Sequence, residues 1–230
     1  FYPERKSFMK AFIKKYSHAW ILSYFILYML WFSWLERTVT TKYTVIHLTL
    51  DDHIPFLEIF VIPYFLWFAY IFVAVAYFFF KDRAEFYRIT AFLFIGMTIC
   101  LTIYTIWPNG HDLRPDLDTL GRSNLFTRIM GWLYRTDTCT NVCPSIHAFN
   151  SIGACIAVYK SKHLKNMRVL RTGTLILTIL ICMSTVFLKQ HSIFDVACAC
   201  LLSLVLYVAV YVPDYEGLRA RRHTRSAGTV

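Results

Sequence analysis

Six uncharged or nearly uncharged runs divide the chain: Ala19 to Leu35, Ile59 to Phe80, Ile89 to Trp107, Pro144 to Tyr159, Thr172 to Leu188 and Val196 to Val212. Each approaches the ~20 residues that a helix needs to cross a hydrocarbon layer. Several have only 16 or 17, so their helices are expected to run on into the flanking polar residues. The pattern predicts an all-α polytopic membrane protein, a bundle of six transmembrane helices in a single domain over residues 1–230. Within it, 1–18 reads as a basic interfacial lead-in, 19–212 as the bundle and 213–230 as a basic cytoplasmic tail. The aromatic and basic mixture of Phe1 to Lys15 suits the inner membrane surface. The chain starts on Phe1 rather than Met, so its natural start is expected to lie upstream.

Composition agrees, since 57% of the 230 residues are hydrophobic and 18% aromatic, too apolar for a soluble domain of this size. Charge then orients the bundle. With the N-terminus inside, 17 of the 24 lysines and arginines fall on the inner face and 7 on the outer, which puts both termini in the cytoplasm. The net charge of +10 sits in short clusters such as Lys160 to Arg171 and Arg219 to Arg225. Topology and anionic head groups account for these clusters, so no nucleic-acid partner is expected. Five of the seven cysteines lie within apolar runs as small hydrophobes. Cys139 and Cys143, in an outer loop, are close enough in sequence for a local disulfide.

Polar residues that interrupt apolar sequence carry the chemistry. Lys189 to Asp195, KQHSIFD, places a cation, a histidine and a carboxylate between the last two apolar runs. A membrane protein keeps such groups mainly for chemistry or transport. If the backbone there is helical, His191 and Asp195, four apart, share a face, and the carboxylate holds the imidazole in one tautomer. CPSIHAFNS opens the fourth helix, with Pro144 in its first turn beside Ser145 and His147; unpaired N–H groups there form an anion site. In the long outer loop Pro108 to Cys143, Arg114 precedes Pro115 on a stiffened backbone that suits a bidentate grip on phosphate or carboxylate; the alternative is a surface pairing with Asp112 or Asp116. Asp116 and Asp118 form a short DxD. Asp51 and Asp52 read as a capped turn before Ile54-Pro55, with cation binding as the alternative. Topology brings Arg114, Ser145, His147, Lys189, His191 and Asp195 to one membrane level. Two histidines, fixed cations, a helix N-terminus and a supporting carboxylate are the parts for phosphoryl transfer through histidine.

These residues resemble the type 2 phosphatidic acid phosphatase superfamily, with its signatures KxxxxxxRP, PSGH and SRxxxxxHxxxD. The first is present as Arg114-Pro115, with Trp107 in the lysine position. The second is Pro144, Ser145, Ile146, His147, with Ile for Gly. The third is Ser184, Thr185, then His191 and Asp195 at the family spacing, with Thr185 in the arginine position. Signatures and helix pattern cover residues from about 59 to 212. FLKQHSIFDV also resembles the inositol phosphoceramide and sphingolipid phosphotransferase branch.

The resemblance implies His191 as the nucleophile on phosphorus, Asp195 as its orienting partner and His147 as the acid for the leaving oxygen. Arg114, Ser145 and Lys189 would hold the phosphate oxygens, Lys189 standing in for one absent cation. It implies no metal and no cofactor, although His147, His191 and Asp195 also match zinc in ligand type. The expected protein is a plasma-membrane lipid phosphatase acting at the outer leaflet on a phospholipid, lysophospholipid, isoprenoid or sphingolipid substrate. A head-group phosphotransferase is the alternative. Outside enzymology, the rivals are a proton-relay transporter and a catalytically degenerate scaffold.

Overall fold

The computed structural model describes residues 14–213; most of the expected lead-in and nearly all of the basic tail lie outside the described residues. Five helices are long and apolar enough to cross a membrane: α1 (Ser17–Thr38), α3 (Glu58–Lys81), α4 (Arg83–Ile106), α7 (Arg168–Phe187) and α8 (Ile193–Tyr211). As expected from the short apolar runs, α4 and α7 begin on arginines beyond them. The remaining apolar run forms α6 (Ile146–Lys160), only 15 residues, about 22 Å of helix. The six expected apolar helices are thus present, while five have the length of a span.

The short helix is the hub. α6 packs against α3, α4, α7 and α8, whereas α1 lies along α4. Phe92 and Phe149 stack at 5.0 Å with ring planes 4° apart, and each ring fills the space above a glycine of the facing helix. A Cβ on Gly96 would lie 1.9 Å from Phe149 Cζ, and one on Gly153 would lie 2.6 Å from Phe92 Cε1. This reciprocal fit sets the height of α6 against α4. Outward-facing Phe72, Val73, Leu201 and Leu204 stay exposed, as side chains against lipid would.

The turns after α3 and α6, at one end of the bundle, are tied by polar contacts. Asp82 caps α4 by accepting from the Ala84 and Glu85 N–H groups, and its other oxygen takes Lys162 at 2.9 Å and His163 at 3.1 Å. Glu85 accepts from the Ser161 hydroxyl at 2.7 Å. The turn after α3 is thereby fastened to the turn after α6.

The loops at the opposite end form a small folded cap. Strand β1 (Thr44–Val45) pairs in parallel with β2 (Asn109–Gly110). The Asn109 side chain accepts from the Val142 and Cys143 N–H groups and donates to the Trp107 and Cys143 carbonyls. Helix α2 (Thr49–Asp52) lies in the first loop. Helix α5 (Leu125–Thr136), capped by Asn124 and Thr127, buries Met130 and Leu133 against Val61, Tyr64 and Leu188. Asp116 accepts from the Asp118 N–H and caps a 3-10 turn, Leu117–Leu120, which gives the DxD a local role. Cys139 and Cys143 are free thiols, like the other five cysteines, so the local disulfide does not form.

Candidate functional site

At the capped end of the bundle, α7 stops at Phe187 and α8 starts at Ile193. The five residues between them turn sharply, with Lys189 at φ +52°. The Thr185 carbonyl accepts from both the Gln190 and His191 N–H groups, at 2.9 and 3.0 Å. Thr185 thus shapes this loop through its backbone, while its hydroxyl turns back to the Cys182 carbonyl. His191 precedes the N-cap Ser192, so the His191/Asp195 pair is not made across a helical face. It is made around a cap: Asp195 Oδ2 accepts from the Ser192 N–H at 2.9 Å and lies 3.3 Å from His191 Nδ1. Both side chains are buried. With Nδ1–H given to the carboxylate, the lone pair of the neutral ring is on Nε2.

Ser145 caps α6, its hydroxyl accepting from the Ala148 N–H at 3.4 Å. The Ser145 N–H donates to the Asp195 carbonyl at 3.1 Å, so the two helix starts meet. His147, the second residue of α6, lies between Tyr64 and Trp67, with ring centroids 4.8 and 4.5 Å away. Its ring centroid is 5.8 Å from that of His191.

Arg114 is seated beside them. Nη1 donates to the Tyr134 and Asp137 carbonyls, and Nη2 to the Thr138 carbonyl and Gln190 Oε1. The guanidinium carbon lies 4.6 Å from the Tyr134 ring centroid. Asp112 pairs with His47 instead, at 2.7 Å. The family's two basic positions hold no cation in this chain: Trp107 is partly exposed and bonds Thr44, and Thr185 serves the turn. What the structure offers in their place is a group of buried donors. Arg114 Nε and Gln190 Nε2 have no hydrogen-bond partner among the described residues. Neither has His111 Nε2, although that ring lies against the Gln190 backbone. His111 Nδ1 accepts from the Leu113 N–H at 3.2 Å, which leaves the ring proton on Nε2. Burial, with the His191 ring and the Arg114 guanidinium nearby, pushes the His111 pKa down to about 3, so this ring is a neutral donor.

Lys189 does not project as a free cation. Nζ donates to the Asp51 carbonyl at 2.7 Å, and burial lowers its pKa against the opposing pull of Asp51 and Asp52. The expected capped turn exists, since Asp51 accepts from the Leu48 N–H at 2.9 Å. Asp51 is also fully buried and reaches the start of α8. It accepts from the Ser192 hydroxyl at 2.7 Å and the Ile193 N–H at 2.9 Å. Asp51, His111 and Gln190 are the neighbours to which the sequence assigns no part in the site. Asp51 stands out there only for its turn, and His111 and Gln190 only as neighbours of Arg114 and His191.

Asp82, Glu85 and His163 form a group with ligand atoms within 4.8 Å of one another. They sit at the opposite end of the bundle, where Lys162 already pairs with the Asp82 carboxylate.

The profile of a family described as the PAP2 superfamily matches residues 110–216. Searches of the curated proteins and of the solved structures returned no match. The match begins beside His111 and runs through Arg114, Ser145, His147, Gln190, His191 and Asp195. The matched profile is that of the family which the three motifs resemble.

Proposed function

We propose that the chain is an integral membrane phosphatase that releases phosphate from a lipid phosphate or diphosphate through a phosphohistidine. The coarser reading, a membrane phosphatase or phosphotransferase, fits the superfamily match and the five membrane-capable helices. The observation that carries the finer one is the pair of histidine rings 5.8 Å apart, one of them buried and held by a buried carboxylate.

In this mechanism His191 Nε2 attacks phosphorus while Asp195 stabilises the imidazolium that forms. The P–O bond to the lipid breaks, and His147 gives its proton to the departing oxygen. Water then attacks the phosphohistidine, losing its proton to His147, and phosphate leaves. The Ser145 hydroxyl, the first N–H groups of α6, Arg114, Gln190 and His111 meet the charge on the phosphoryl oxygens. Lys189 we assign to holding the loop rather than to phosphate. The site would open to the outer face of a plasma membrane, with both termini cytoplasmic.

The test is a panel of labelled lipid phosphates given to wild type and His191→Ala, with and without a chelator and an alcohol acceptor. Chelator-resistant release of free phosphate, lost in the variant, is the expected result. Wild-type turnover in His191→Ala would overturn the mechanism, and label moving only onto the alcohol would replace hydrolysis by head-group transfer.

A further inference from the structure

Asp51 belongs to the first outer loop, ahead of the residues matched by the family profile. Its side chain is fully buried, and it holds the loop that carries His191 at both ends. On one side its backbone carbonyl accepts from Lys189 Nζ at 2.7 Å. On the other its carboxylate accepts from the Ser192 hydroxyl at 2.7 Å and the Ile193 N–H at 2.9 Å. Ser192 Oγ in turn accepts from the Phe194 N–H at 3.1 Å, which fixes the hydroxyl as the donor to Asp51. His191 lies between these anchored residues.

Charge gives the arrangement a second consequence. The start of a helix such as α8 carries outward N–H groups and the positive end of the helix dipole, the ordinary place for a bound anion. Asp51 already supplies that anion. Phosphate is thereby directed to the neighbouring start of α6, where Ser145 and His147 lie. Among the described residues both Asp51 oxygens are bonded, whereas Asp195 Oδ1 has no partner. Asp51 therefore has its full complement of partners inside the protein.

We propose that Asp51 is a positioning residue for the nucleophilic histidine, acting through Ser192 and Lys189, and that it excludes phosphate from the start of α8. The proposal rests on the phosphohistidine reading for its kinetic consequence, and on geometry alone for its effect on the His191 ring.

The experiment uses the full chain in lipid nanodiscs, as wild type, Asp51→Asn, Ser192→Ala and the double variant. Asn keeps the size of the side chain but turns one acceptor into a donor facing other donors. Ser192→Ala removes only the hydroxyl link and keeps the proposal testable if Asp51→Asn does not fold. Phosphorylation of His191 is expected to slow by about 100-fold in Asp51→Asn, the cost of a misplaced reacting group, with KM changed less than about threefold. The double variant should be no worse than Asp51→Asn, since both act through one link. Nitrogen-15 signals of the His191 ring should show a weakened Nδ1–H bond in both single variants. That readout stands even if lipid phosphates are not substrates, so loss of turnover in every chain with shifted ring signals would sink the proposed function and leave the positioning role supported. Unchanged ring signals, additive losses in the double variant, or turnover of Asp51→Asn within about twofold of wild type would each overturn it.

Discussion

The backbone N–H of Ser145 donates to the carbonyl of Asp195 at 3.1 Å. Through this one bond the start of α6, which carries His147, is set against the start of α8, which carries the partner of His191. The spacing of the two helix starts is therefore a property of the backbone, while the place of the His191 ring also depends on the side chains that hold its loop.

Arg114→Lys should lower kcat/KM by about 100-fold or more. A lysine cannot replace a planar fork that serves three carbonyls and Gln190 Oε1. Steady-state kinetics checks this, and a loss below about threefold would show that the fork is not needed.

His111→Phe keeps a ring in the buried space but removes the Nε2–H. A hydrogen bond to a charged group contributes about 1.5–3 kcal/mol, so an increase of about 10- to 100-fold in the inhibition constant of inorganic phosphate is expected, with little change in folding. Unaltered phosphate inhibition would remove His111 from the oxyanion site.

His147→Ala should hurt most where the leaving oxygen is a poor one. Comparing a lipid phosphate with an aryl phosphate, the variant should lose more on the lipid by about 10²–10⁴, the range for general acid catalysis. Equal losses on both would assign His147 to binding.

His47 offers a prediction about pH. Its two ring nitrogens lie 2.7 Å from Asp52 and 2.7 Å from Asp112, and hydrogen bonds to Asp52 first and Asp112 second raise its pKa above the usual 6.5. A raised pKa means that the clasp between the loop after α1 and the loop after α4 is fully formed below pH 6.5 and is lost as pH rises through the higher folded value. Titration of the ring by NMR should place His47 above the ordinary histidine value, and Asp112→Asn should lower it. A midpoint at or below 6.5 in the wild type would rule the clasp out.

Gly96→Ala should destabilise the bundle. The added Cβ would fall 1.9 Å from Phe149 Cζ, and overpacking of this kind costs about 1–3 kcal/mol or more. Thermal denaturation in detergent measures it, and Phe149→Leu in the same chain should restore part of the loss.

The membrane helices were legible because burial in lipid imposes a long apolar run, and each expected run returns as a helix within a few residues. The hub role of α6 was not, since its sequence is no more apolar than its neighbours and its importance lies in the Phe92, Gly96, Phe149 and Gly153 contacts. In the candidate site, motif spacing singles out His147, His191, Asp195 and Arg114, which the structure brings to one end of the bundle, because the pattern runs along short stretches. For Lys189 the sequence shows a charge but not the left-handed backbone at that residue or its bond to Asp51. Asp51 escaped for a different reason: its partner Ser192 is 141 residues away, and an acidic pair before a proline looks the same whether it caps a turn or does that and more.

That separation also sets a clock. A ribosome adding about 5–20 residues per second needs roughly 7 to 30 s to travel from Asp51 to Ser192. For that interval the Asp51 carboxylate stands without the hydroxyl and the N–H that it accepts from. The loop and the start of α8 meet only after both have been made, so a chain halted before Ser192 leaves a buried acceptor without its donors.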